Sequence, residues 1–202
     1  MITDYASLKI SVAAWVNRTD LASIVPEFIA DGEARIYNDL RIRAMEVAFS
    51  EVVVDGVVNI PAGFLAWKFL YVDGSSATKL SRKDPEWIYT QYPSRVGAGT
   101  PKFFAREGDT LIFGPAAEAG LTIKGRYYKR LAALSDANTT NWFIENEPQI
   151  LRFAALCEAA PYLKNDTRIP IWENKYNDAM KRIKKTERDE AFSGSKLSVE
   201  PG

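Results

Sequence analysis

The sequence predicts an α+β protein: mainly a helical bundle built from its two ends and interrupted by a small antiparallel β domain. Three observations lead there. Apolar residues recur at helical spacing through residues 1–46, the period falls to two with Gly-containing turns over 47–140, and the helical period returns over 141–191. Residues 192–202 hold Gly, Ser and Pro without periodicity and read as a flexible C-terminal tail.

Thr3 or Asp4 can cap a first helix with Leu8, Val12 and Trp15 on one face, ending near Asn17. Asp20 offers a second cap, Pro26 suits a first turn, and Phe28, Ile29, Ile36 and Leu40 continue the apolar stripe. Gly32 weakens this helix unless something packs closely there. From Ala48, "AFSEVVVDGVVNIP" places β-branched runs on either side of Asp55-Gly56, a strong hairpin signal. "AWKFLYVDG" and "ATKL" continue as strands, and Asp84-Pro85 opens a brief helix carrying Trp87 and Ile88. The loop "PSRVGAGTP" follows; "KFFAREGDTLIF" turns at Glu107-Gly108, and "LTIKGRYY" adds a last strand. After the turn formers of "LSDANTTN", Glu147-Pro148 starts a helix through Leu163. A second helix runs from about Asp166 to Glu190, with Ile171, Trp172, Tyr176, Met180 and Ile183 on one side. Asp189 and Glu190 sit unfavourably at its C-terminus, which predicts fraying or a compensating cation.

Composition removes much chemistry. With 26 basic and 26 acidic residues, no global charge draws the chain to nucleic acid or an anionic membrane. The absence of histidine removes the usual general base, the Ser-His and Cys-His nucleophile systems and the commonest metal ligand. One cysteine makes no internal disulfide, and neither a signal peptide nor a run of 18 uncharged apolar residues is legible. The sequons at Asn17, Asn138 and Asn165 therefore read as chance matches.

Few stretches suggest a site. "GAGTP" at Gly97 lacks the third Gly and following helix of a dinucleotide fingerprint, and no zinc spacing exists. Cys157 lies mid-helix among Ala154, Ala155, Ala159 and Ala160 with Glu158 beside it, which favours a small packing residue over a reactive thiol. Lys181 to Lys185, "KRIKK", could touch phosphates, or form a solvated face salt-bridged through Glu187. Trp67, Trp87, Tyr89, Tyr92, Tyr127 and Tyr128 cluster in or beside the β unit and suit core, protein interface or sugar stacking. A pair of distant carboxylates converging in a cleft is the remaining enzymatic reading, as in a cell-wall hydrolase.

The segments Tyr5 to Glu46 and Tyr127 to Tyr176 resemble tailed-phage head-to-tail adaptor proteins of the podovirus type. The resemblance is carried by Tyr127-Tyr128, Leu134-Ser135-Asp136, Asn141-Trp142, the Pro148-initiated helix with its Ala-rich centre, and the final helix with Asp166, Arg168 and Trp172. It implies a non-enzymatic virion component assembled in the host cytoplasm, with no cofactor. Its partners would be the portal protein, tail nozzle or fibre proteins, and copies of itself in a ring, usually of twelve, through which phage DNA passes without sequence-specific binding. On this reading Lys181, Arg182, Lys184, Lys185, Phe192, Lys196, Leu197 and Val199 face the portal or a neighbour. Trp87, Tyr89 and Tyr92 face the tail or a neighbour. The extended C-terminal segment docks on assembly.

Overall fold

The computed structural model describes residues 1–74, 77–95, 99–163 and 166–191; the readings made at Gly97, Asn165 and the tail from Phe192 onward lie outside the described residues. Among the described residues helix accounts for 46% and strand for 23%, so the class is α+β with a substantial sheet share. The chain divides into two compact units, Met1–Ala44 with Leu131–Gly202, and Met45–Arg130.

In the first unit, Asp4 caps α1, Tyr5–Val16: its side chain accepts from the Ser7 N–H at 2.7 Å, and the Ser7 hydroxyl accepts from the Asp4 N–H at 3.0 Å. Asn17 closes the helix in the left-handed region, φ 56°. The buried line is Tyr5, Leu8, Val12 and Val16. Trp15, expected on that face, is 39% exposed, because adjacent helix positions are about 100° apart and Val16 occupies the core side. A 3₁₀ turn, Thr19–Ile24, follows; Asp20 pairs with Arg18 rather than capping α2, Val25–Asp39, whose first turn holds Pro26.

Asn141 caps the short α4, Trp142–Asn146, by accepting from the Ile144 N–H at 3.1 Å. The next helix, α5, spans Pro148–Glu158 and stops short of Leu163, since Pro161 lacks an N–H and its ring crowds the carbonyl one turn earlier; a 3₁₀ turn, Ala160–Tyr162, continues instead. The last helix, α6, spans Ile169–Ala191 and buries Trp172, Tyr176, Ala179, Met180 and Ile183. Ile171 points outward, since Trp172 beside it takes the core side. Near its end, Arg43 accepts the predicted compensating role: its backbone N–H donates to Glu187 at 2.9 Å and its guanidinium pairs with Glu190.

Within the first unit, α2 and α5 approach closely. A Cβ added at Gly32 would stand 2.7 Å from the Ala155 nitrogen and 3.1 Å from the Ala154 carbonyl carbon, so only glycine fits. Ala154, Ala155 and Ala159 are fully buried on the facing helix, the small-residue surface that the sequence placed around Cys157.

The second unit holds two four-stranded sheets. Strands β1 (Glu46–Val52), β8 (Thr122–Lys129), β3 (Phe64–Val72) and β4 (Thr78–Lys79) lie in that order in one sheet. The other has β2 (Val57–Asn59), β7 (Thr110–Gly114), β6 (Phe103–Glu107) and β5 (Ser81–Arg82). Phe49, Leu70, Ile123 and Tyr127 of the first sheet share one core with Val58, Phe104, Leu111 and Phe113 of the second.

Two expectations change here. Asp55 and Gly56 form the expected tight turn, φ 51° and 77°, but it closes on the single bridge between Val54 and Val57. Their flanking strands do not form a hairpin: β1 pairs with β8 and β2 with β7. The β domain is also not wholly antiparallel, for β5 runs parallel to β6. The connection that permits this contains α3, Pro85–Gln91, because parallel neighbours need a crossover. The Glu107-Gly108 hairpin forms as expected.

Replacing Gly with Ala in an exposed helix interior stabilises by about 1 kcal/mol. At Gly32 we expect Gly32→Ala to destabilise by about 2 kcal/mol, read as a lower urea midpoint at unchanged slope. A gain in stability would show that the two backbones do not meet there.

Candidate functional site

The basic run divides along the helix. Ile183 is buried, while Lys181, Arg182, Lys184 and Lys185 are exposed on α6. Arg182 reaches Glu147 at 3.5 Å and Lys181 lies 4.0 Å from Asp178, one turn earlier. Half the run is thus engaged within its own unit, in weak exposed pairs of the kind worth under about 1 kcal/mol. Phe192, Lys196, Leu197 and Val199, proposed to act with it, lie outside the described residues.

The aromatic set sits in the other unit, on α3. Trp87 is half-buried, edge-on to Phe103 at 4.9 Å and to Tyr92 at 6.2 Å, with the Lys83 ammonium 4.8 Å from its ring centre. Tyr92 packs on the Gly114 backbone, where an added Cβ would be 2.8 Å from its ring. Tyr89 is the most exposed of the three; its hydroxyl donates to Glu107 at 2.8 Å and the Arg95 guanidinium lies 5.4 Å from its ring centre. Trp67 meets Phe49 at 4.8 Å and 71°, and Tyr127 is buried beside it. Rings packed edge-on in this way do not make the coplanar platform that sugar stacking uses.

Two polar arrangements were not singled out from the sequence. Arg35 on α2 binds Glu158 of α5 at 3.1 Å and Glu173 of α6 at 2.8 Å, and lies over the Tyr176 ring at 4.7 Å. Tyr176 in turn donates to Asp39 at 3.1 Å, and burial, with that bond second, holds its phenol well above the usual range. These two glutamates converge on one guanidinium, which is a clamp across three helices rather than an acid-base pair flanking a cleft. Cys157 is buried beside them; burial first, and the negative Glu173 second, push its thiol up to about 12. It is protonated at neutral pH and has the inert packing role the sequence suggested.

Glu33, the neighbour of Gly32, is 5% exposed. One carboxylate oxygen accepts from the Leu134 N–H at 3.2 Å and the other from the Asn141 side chain at 3.1 Å. It therefore fastens the segment re-entering the bundle to α2. The signal was present: Glu33 is four residues from both Ile29 and Tyr37, on the buried stripe. Burial raises its carboxyl above the ordinary value, against the two hydrogen bonds, which lower it. Among the described residues no group of three or more potential metal ligands gathers.

A family model described as SU10 adaptor protein matches residues 3–198. No curated protein matches the chain.

A carboxyl raised by folding contributes stability that is complete below its unfolded value and is lost as pH rises through its folded value. We therefore expect the stability of the wild type relative to Glu33→Gln to fall as pH rises above the ordinary glutamate value, in urea unfolding at a series of pH values. A difference independent of pH would contradict the burial. Glu33→Ala, which strands two donors, is expected to cost about 2 kcal/mol at low pH and less as pH rises, by the same fall.

Proposed function

The chain belongs to the SU10 adaptor protein family, and from that premise we propose that it is a phage head-to-tail adaptor acting as a ring beneath the portal. The ring extends the DNA channel and presents a platform for the tail nozzle or fibres. The observation that carries this reading is a family match spanning nearly the whole chain, residues 3–198. A structural role also accords with a chain that has no histidine and whose single thiol is held protonated.

A closed ring needs two different, complementary faces on each subunit. Lys184 and Lys185, exposed on α6, are the cations we assign to a portal or neighbour contact, with Lys181 and Arg182 joining if they release Asp178 and Glu147. We assign Phe192, Lys196, Leu197 and Val199, outside the described residues, to the same portal or neighbour contact. On the β unit, Tyr89 is the exposed member of the tail-side or neighbour set, and Trp87 and Tyr92 hold its helix in place. DNA crosses the channel without sequence readout, as expected of a chain with balanced charge. No described helix is long and apolar enough to cross a membrane.

Mass measurement of the chain with and without purified portal rings tests the proposal. The chain is expected to remain monomeric or weakly associated alone and to load onto portals in multiple copies. Ending it at Ala191 is expected to abolish loading. Failure of the full chain to associate would overturn the adaptor role, and undiminished loading of the shortened chain would remove the tail from the mechanism.

A further inference from the structure

Beside β3 is a groove of about 460 Å³ whose walls come from both sheets of the β unit. Its origin is a strand that changes sheets. The chain pairs with β3 only at Tyr71 and Val72, gives the Leu80 N–H to the Leu70 carbonyl, and then joins the second sheet as β5. Phe64 to Phe69 consequently has β8 on one side and, among the described residues, no strand on the other. Four cations line the opening, Lys68, Lys79, Arg82 and Arg106, and no carboxylate does. Lys68 pairs with Glu46 and Arg106 lies 3.7 Å from Asp109, but Lys79 and Arg82 have no ion-pair partner among the described residues. Leu65 and Phe104 supply an apolar floor.

We propose that this groove binds a short, extended, acidic segment of another polypeptide, which adds as a strand to β3. An open strand edge offers main-chain hydrogen bonds, and the surrounding cations select carboxylates at alternate positions. The edge also discriminates. Register shifts at Phe64/Ala66 and at Trp67/Phe69 put bulges into β3, and Lys68 projects beside the second. The cations on this edge oppose its pairing with the same edge of a second copy, whereas they match an acidic strand. A ligand of about five residues covers the open stretch at about 3.3 Å each. A single-stranded nucleic acid would also meet cations and aromatics, but it needs open ring faces. Here Trp67 is enclosed by Phe49, Phe64 and Tyr127, and Phe69 stacks on Tyr71, whereas the backbone edge is uncovered. The assignment rests on the β unit alone and stands whether or not the chain loads onto portals.

The test uses the full chain and a fluorescent acetylated hexapeptide of alternating Asp and Val, read by polarisation. Three competitors accompany it: the same peptide with Lys for Asp, the Asp peptide N-methylated at alternate residues, and a dodecamer of thymidylate. We expect the acidic peptide to bind, the lysine peptide to bind at least about ten-fold more weakly, and N-methylation to remove binding. Lys79→Glu with Arg82→Glu should weaken the acidic peptide about ten-fold while leaving the circular dichroism spectrum unchanged. Absence of binding, indifference to N-methylation or to the charge reversals, or preferential binding of the thymidylate would each overturn the proposal.

Discussion

The contact on which the first unit depends is the approach of two helix backbones at Gly32 and Ala155. It fixes the distance between α2 and α5, and the polar groups beside it work only at that distance. Arg35, three residues on, then spans Glu158 and Glu173, joining α2 to both α5 and α6. Glu33, next to Gly32, holds Leu134 and Asn141, where the chain re-enters the bundle from the β unit. Removing the Glu33 carboxylate is costly, because the buried donors it leaves have no water to turn to, whereas Arg35 and its two glutamates keep part of their surface in solvent. One glycine thus sets the geometry for the clamp, for the re-entry and for the buried thiol between them.

In the β unit the corresponding constraint is that the chain changes sheets four times: between β1 and β2, between β2 and β3, at Leu80 between β4 and β5, and between β7 and β8. These crossings let two small sheets share a core that neither would bury alone. Gly125 permits the tightest point: an added Cβ would stand 2.2 Å from the Phe69 carbonyl oxygen, beside the second bulge of β3. The same crossings leave strand edges uncovered, and the lysine and arginine side chains around β3 are what keep that edge soluble.

Much of this was legible in the sequence where a single local rule decides. The Asp4 cap, the turns at Asp55-Gly56 and Glu107-Gly108, the Pro148 helix start and the small-residue face around Cys157 all follow from residue chemistry over a few positions. The rest depends on partners far away in the chain. Trp15 and Ile171 were placed on the wrong side because periodicity alone does not say which of two adjacent apolar residues wins the core. The pairing of β1 with β8 spans most of the β unit, and no turn signal encodes it. The spacing of Glu33 marks it as buried, but neither it nor Arg35 carries a local signal for partners that lie 100 or more residues away. The residues proposed for portal and tail contacts rest on family resemblance alone, since interface chemistry leaves no catalytic spacing to read.

Helices cross-braced by ion pairs make up one unit, and the other is a two-sheet core whose exposed edge carries cations. The most direct measurement of the central claim is an averaged electron-microscopy reconstruction of the virion at the head-to-tail junction. The account predicts the α2, α5 and α6 bundle repeated around a ring in contact with the portal. Density for this fold confined to the tail tip or the capsid interior, or occurring as a single copy, would contradict it.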